Sequence, residues 1–337
     1  MRQLQFLEAG RVEWQEVAEP QLEGAREALV RPLAVAMCDL DAWLIRGAVP
    51  FPGPFALGHE FVAEVVRAGD QAAVAAGDRV IVPFQISCGR CDPCLRGVTA
   101  SCSEVPPTSM YGIGAAGGDW GGALADLVRV PFAGAMLIAL PAAIDPVAVA
   151  SLSDNVADGW RTVGPQLAER PGAPVLIVGG GAHAVSLYAA QAAVALGAER
   201  VDFVDTDPER LALAERLGAN PVEGPAPRKA GSYPITVNAS VDQAGLHCAI
   251  RSTEPGGACT NVGIYFQELT PVPLAEMYMR GIHLHTSRVS SRAVLPEVLE
   301  LVASGRLDPA AVTSTVASFA DAPDALADPP TKLILTP

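Results

Sequence analysis

Pro174-Val175-Leu176-Ile177-Val178-Gly179-Gly180-Gly181 opens the stretch that decides the fold, and Val201-Asp202-Phe203-Val204-Asp205 closes it. Each is a short, continuous apolar run bounded by turn signals, the mark of a strand buried on both faces. Between them lies an Ala/Leu-rich segment from Val185 to Leu196, and Gly197 stands where a helix C-cap would. Strand, helix and strand within about thirty residues predict a βαβ unit, and so a parallel sheet with right-handed crossovers. The alternation continues. A helix is predicted over Pro208–Leu217, closed by Gly218, with strands at Ile235–Ala239, Cys259–Ile264 and Ile282–Thr286. Pro221–Pro234 reads as a Pro/Gly-rich loop, Leu295–Ala303 as a helix and Thr331–Thr336 as a last strand.

The first 140 or so residues have another texture. Val12–Val17, Ala28–Leu33, Phe61–Val66 and Asp78–Pro83 are strand-like, with Gly-Asp turns at Gly69-Asp70 and Gly77-Asp78. A β-rich region therefore precedes the α/β region, and 337 residues suit two domains. Half the residues are hydrophobic, enough for large cores. The formal net charge is −14, from 23 Lys+Arg against 37 Asp+Glu. Such a chain without basic runs is a poor partner for nucleic acid or an anionic membrane. No apolar stretch is long enough to span a bilayer, and the first residues carry no basic-then-apolar leader, so a cytoplasmic location is expected.

Four of the seven cysteines, Cys88, Cys91, Cys94 and Cys102, fall within fifteen residues as C-x2-C-x2-C-x7-C. Four thiolates at this spacing suit a structural zinc, and the last spacing departs from ferredoxin patterns. A second set of ligand chemistry is spread along the chain. Cys38 lies in Met37-Cys38-Asp39-Leu40-Asp41, His59 in Gly58-His59-Glu60, and Asp154 in Ser153-Asp154-Asn155. Spacing alone does not join these three.

With Cys38-x-x-Asp41, Gly58-His59-Glu60, the four-cysteine loop after Pro83-Phe84, the glycine-rich strand end and Asp205, the chain resembles the zinc-containing medium-chain dehydrogenases/reductases of the alcohol dehydrogenase type over essentially its whole length. The resemblance implies a GroES-like β-rich catalytic domain (1–145 and 288–337) and a Rossmann domain, a doubly wound parallel sheet (146–287). It implies two zinc ions per chain. One would be catalytic, on Cys38, His59 and Asp154; the other would be structural, on the four-cysteine loop. Asp41 would accept the second ring N–H of His59, and Glu60 would stand beside the metal. Phe84 would be a substrate-pocket wall, with Leu40, Trp43 and Trp120 able to line the same pocket.

The family's glycine motif fits in two registers. Gly179-x-Gly181-x-x-Ala184 is one. Gly181-x-His183-x-x-Ser186 is the other and the preferred one, because it puts Asp205 24 residues beyond the first glycine rather than 26. Backbone N–H groups from Gly181 through His183, Ala184 and Val185 would face a pyrophosphate at the helix N-terminus. Asp205 at the end of the second strand suits a ribose 2′-OH and repels a 2′-phosphate, which favours NAD(H) over NADP(H). The resemblance further implies Arg210 at the adenosine ribose, Lys332 at the pyrophosphate and Val262-Gly263-Ile264 at the nicotinamide. Asp158 stands where the family often has Thr near the nicotinamide, as a proton carrier or a capping carboxylate. His283, His285, Cys248 and Cys259 read as structural.

One departure bears on chemistry. Leu40 replaces the Ser or Thr that begins the family's proton relay, and a leucine cannot carry a proton. The expected activity is hydride transfer between NAD(H) and an alcohol/carbonyl pair, on a small alcohol, aldehyde or ketone. The alternatives are NAD(P)H-dependent reduction of an activated C=C bond, which Leu40 favours, and a non-catalytic NAD(H)-binding protein. A homo-oligomer, dimer or tetramer, is expected from the resemblance.

Overall fold

The computed structural model describes residues 1–49 and 51–337. The chain forms two compact units. The first comprises Met1–Ala157, Val289–Ala303 and Asp308–Pro337; the second comprises Asp158–Arg288 and Ser304–Leu307.

The first unit is built on antiparallel pairing. Its larger sheet runs Thr315–Ser318, Leu333–Thr336, Ala28–Ala36, Glu60–Ala68, Arg79–Val82, Ile138–Ala139, with Val128–Val130 also pairing Ala28–Ala36. A three-stranded sheet joins Arg11–Glu16, Arg2–Glu8 and Phe55–Ala56. In Arg2–Glu8 the buried positions Leu4 and Phe6 alternate with outward Gln3 and Gln5, the two-residue period of a strand with one wet face. The core gathers Leu57, Phe61, Tyr111, Leu124 and Met136, and the Phe61 and Tyr111 rings meet edge-on at 5.7 Å.

Register in the larger sheet assembles one end of this unit. Ala36 pairs with Glu60 and, on its other side, with Ile334. Cys38, just past the end of the first strand, is thus carried to His59, just before the start of the second, and to Lys332, just before the third. The 3-10 turn Ala150–Ser153 docks on the same edge, where the Phe61 N–H donates to Ser153 Oγ at 3.0 Å. Asp154 follows directly.

The second unit is a six-stranded, all-parallel sheet in the order Asn220–Glu223, Val201–Asp205, Val175–Val178, Tyr233–Asn238, Thr253–Asn261, His283–Thr286. In chain order this is 3-2-1-4-5-6, the doubly wound nucleotide-binding arrangement. Val175–Val178 and Val201–Asp205 are buried at every position, which explains their unbroken apolar spelling. The helix His183–Ala195 is buried from Ala184 to Ala193. The segment expected to be a loop from Pro221 begins as the exposed edge strand Asn220–Glu223, where Pro221 is tolerated because a ladder partner exists on one side only. The helix expected at Leu295 starts earlier, at Ser291, and contains Pro296. No helix among the described residues is long and apolar enough to cross a membrane.

Candidate metal and cofactor sites

The sulfurs of Cys88, Cys91, Cys94 and Cys102 lie within 4.8 Å of one another. Cys91 Sγ and Cys102 Sγ are 3.8 Å apart. Two tetrahedral zinc–sulfur bonds of about 2.3 Å span about that distance. Backbone N–H groups of Cys88, Arg90 and Cys91 donate to sulfurs of the set, each at 3.4 Å. Hydrogen bonds from the Ser103 and Cys94 backbone pull the Cys91 thiol down to about 6, while burial and the neighbouring sulfurs push Cys94 up to about 12. All seven cysteines are free of disulfides. The loop is a four-thiolate cage of the structural-zinc kind.

Cys38 Sγ, a ring nitrogen of His59 and a carboxylate oxygen of Asp154 also lie within 4.8 Å of one another. His59 Nε2 is 3.3 Å from Asp154 Oδ2, and Nδ1 faces Asp41 Oδ1 at 3.4 Å. The Asp41 carboxylate is held in turn by the Cys38 backbone N–H at 2.9 Å. Burial and the Asp154 charge push the Cys38 thiol up to about 12. Burial opposes the charged form of His59, yet Asp41, Asp154 and Cys38 outweigh it and raise its pKa well above the ordinary value. A half-buried thiol, a buried imidazole and a buried carboxylate thus turn their lone pairs toward one another, a donor set that suits a cation. One thiolate, one imidazole and one carboxylate make a three-ligand set with a position left for substrate, which fits zinc. Phe84 is buried with its ring centroid 5.7 Å from that of His59. Leu40, Trp43 and Trp120 are half-buried and pack on the hydrophobic core of this unit.

Glu60, expected at the metal, is otherwise engaged. Its Oε2 takes an ion pair from Lys332 Nζ at 2.5 Å and its Oε1 accepts the Asn155 N–H at 2.8 Å. Burial, against the Lys332 charge, lifts its carboxyl to about 7.

In the second unit the strand ends at Val178 and the helix begins at His183, so Gly179–Ala182 is the whole turn. A Cβ on Gly179 would stand 2.5 Å from Asp205 Oδ2, and one on Gly180, at φ +141°, 2.7 Å from Ser240 Cα. These contacts favour the register Gly179-x-Gly181-x-x-Ala184 over the one starting at Gly181. Gly181 N–H and Ala182 N–H donate to Ser240 O and Ala239 O, both at 2.9 Å. The turn is thereby tied to the strand across the switch point, and the helix end that would meet a pyrophosphate starts at His183, with Ala184 and Val185 buried behind it.

Asp205 is buried and its Oδ1 accepts the N–H groups of Thr206 and Asp207 at 2.7 and 2.9 Å. Arg210 grips the same carboxylate through Nη2 at 2.6 Å and Nε at 2.9 Å. Val262 N–H donates to Asn238 O at 3.0 Å, and Gly263 is bracketed by Asn261; Ile264 is 49% exposed. Asp158 is ion-paired with Arg161 inside the helix Asn155–Glu169. Cys248 and Cys259 are fully buried, and His283 and His285 lie exposed on the edge strand.

Residues 24–142 match the alcohol dehydrogenase GroES-like domain family, and residues 184–304 match the zinc-binding dehydrogenase family. The chain is 33% identical over 309 residues to "Probable zinc-binding alcohol dehydrogenase" of Mycobacterium tuberculosis, across 89% of this chain and 78% of that one. It is a zinc-containing medium-chain dehydrogenase/reductase of the alcohol dehydrogenase type. The alcohol dehydrogenase of Geobacillus stearothermophilus is 30% identical across 87% of this chain and 86% of its own. The alcohol dehydrogenase TADH of Thermus sp. ATN1 superposes with a TM-score of 0.90 at 30% identity, covering 100% and 99% of the two chains.

Two further buried residues, Lys332 and Asn155, adjoin the ligand set of this dehydrogenase. Lys332, expected at the pyrophosphate, is 0% exposed. Its ammonium faces three acceptors, Met37 O at 3.0 Å, Asn155 Oδ1 at 2.7 Å and Glu60 Oε2 at 2.5 Å. In this structure the ammonium hydrogens point to these internal acceptors. Asn155, which sequence reasoning passed over, is 1% exposed and touches Cys38, Asp154, Glu60 and Lys332. Its one sequence signal is its place directly after Asp154.

Proposed function

We propose that this zinc-dependent oxidoreductase transfers a hydride between NAD(H) and an alcohol/carbonyl pair, with the metal on the GroES-like unit and the dinucleotide on the parallel-sheet unit. The observation that carries this reading is the convergence of Cys38, His59 and Asp154, with Asp41 behind the imidazole. These three side chains would hold zinc. Bound there, zinc supplies Lewis acidity toward the substrate oxygen and lowers its proton affinity. Asp41 Oδ1 lies 3.4 Å from His59 Nδ1, so a proton carried on Nδ1 would leave Nε2 free to ligate. Lys332 neutralises Glu60, so the buried charge beside the ligands is balanced. The Phe84 ring supplies an apolar wall next to His59.

The cofactor reading rests on the turn Gly179–Ala182 and on Asp205. A carboxylate at that strand end repels a 2′-phosphate, which supports NAD(H). Alcohol oxidation would pass a hydride to bound NAD⁺ and release the hydroxyl proton, which Leu40 cannot carry. A cytoplasmic homo-oligomer completes the reading.

Leu40 supports a second reading, reduction of an activated C=C bond, in which no relay from an alkoxide is needed. Initial rates on a panel of alcohols with NAD⁺, and of aldehydes, ketones and enones with NADH, separate the two. The first reading expects turnover on alcohols and carbonyls; alcohol oxidation that does not respond to Leu40→Ser shows that the missing hydroxyl is not limiting. Turnover confined to enones favours the second. Cofactor binding with no turnover on any member of the panel leaves a binding protein and overturns both.

A further inference from the structure

We infer that Asn155 is a positioning residue for the Cys38–His59–Asp154 metal site, with its amide oriented by the buried cation Lys332. The inference rests on the reading of these three residues as zinc ligands and extends it to a group outside the ligand set.

Asn155 opens the helix Asn155–Glu169 and is 1% exposed. Four contacts fix it. Its backbone N–H donates to Glu60 Oε1 at 2.8 Å, and its Oδ1 accepts from Lys332 Nζ at 2.7 Å. Its Nδ2 donates to Asp154 Oδ2 at 3.0 Å and to Cys38 Sγ at 3.2 Å. The orientation of the amide follows from chemistry. An ammonium only donates, so the side facing Lys332 must be the oxygen. The NH₂ group must then face the sulfur and the carboxylate, both of which accept.

One NH₂ group thus spends a hydrogen on each of two ligand side chains. It sets their separation before any metal arrives, and it withdraws electron density from the Cys38 sulfur. Lys332, 0% exposed and paired with Glu60, is the fixed charge that keeps the amide from turning over. The order of control runs from Lys332 to Asn155, and from Asn155 to Cys38 and Asp154. Outer partners of this kind typically alter metal affinity by about 10–100-fold.

The test compares wild type with Asn155→Ala and with Asn155→Leu, which keeps the side chain's branched skeleton without its polar atoms. Zinc retained per chain is followed against increasing EDTA, and cobalt-substituted protein is examined by absorption. The four-cysteine ion serves as an internal gauge of folding. In at least one variant, one of two zinc ions is expected to leave at a chelator concentration lower by about 10–100-fold, with the other retained as in wild type. The Cys38-to-cobalt charge-transfer band is expected to move to lower energy, because the N–H···S bond that stabilised the sulfur lone pair is gone. Retention of both ions as in wild type with an unmoved band overturns the inference. Joint loss of both ions with the fold in both variants also overturns it. Wild type that holds only one zinc overturns instead the reading of Cys38, His59 and Asp154 as ligands.

Discussion

The Asp205 carboxylate occupies the space that a side chain on Gly179 would need, with Oδ2 only 2.5 Å from where a Cβ would stand. The first glycine of the turn and the acidic residue that ends the next strand therefore fit as one unit. Gly179→Ala must displace Asp205, Arg210 or the turn itself. Overpacking of this kind costs about 1–3 kcal/mol. The expected result is a lowered melting temperature and NADH affinity weakened at least about tenfold by fluorescence titration, with zinc content unchanged.

Arg210 donates twice to Asp205, so removing the carboxylate leaves its guanidinium, still held by Asp207 Oδ2 at 3.2 Å, with two fewer hydrogen bonds at the strand end where a 2′-phosphate would fall. Asp205→Ser is expected to lower kcat/KM for NAD⁺ and raise it for NADP⁺. The ratio of the two should move by at least about tenfold, one pocket-level interaction's worth. A ratio that does not move would detach Asp205 from cofactor choice.

Lys332 and Glu60 are both fully buried and paired. Taking one member of such a pair away leaves an uncompensated buried charge, at a cost of about 3–5 kcal/mol. Lys332→Met is therefore expected to destabilise the chain strongly to denaturant. Paired with Glu60→Gln it should recover part of that loss. NADH affinity of the folded fraction should stay within about threefold of wild type, since the ammonium hydrogens point to internal acceptors.

How far the sequence reached depends on how local each feature is. The four-cysteine loop is legible because all its ligands lie between residues 88 and 102. The buried strands Val175–Val178 and Val201–Asp205 announce themselves as apolar runs. Cys38, His59 and Asp154 are brought together by the pairing of Ala36 with Glu60 and by the Ser153–Phe61 bond, neither of which is written in spacing. Family resemblance supplied that link. The edge strand Asn220–Glu223 is hidden by Pro221 and by its exposure. The burial of Lys332 depends on three partners far away in sequence, so a motif match alone pointed it outward. Asn155 has no motif of its own and becomes visible only through its contacts.

Asp207 caps the helix Pro208–Arg216, accepting from the N–H groups of Glu209 at 2.9 Å and Arg210 at 3.0 Å. The Arg210 backbone bond, with further help from the Arg210 charge, holds its carboxyl below the usual range. A carboxyl depressed in the folded state stabilises above its unfolded pKa of about 3.9, and that contribution fades as pH falls through the folded value. Asp207→Ala should cost about 1 kcal/mol at pH 7, the usual worth of a cap. Denaturant melts should show the gap between wild type and variant closing below about pH 3.9.

Zinc per chain, measured by elemental analysis on gently purified wild type and on Cys38→Ala and His59→Ala, tests the central claim most directly. Two ions in wild type and one in each variant are predicted, with turnover lost and NADH binding kept in the variants. One ion in wild type, still one after incubation with zinc, would leave only the four-cysteine loop occupied and contradict metal-assisted hydride transfer at Cys38, His59 and Asp154.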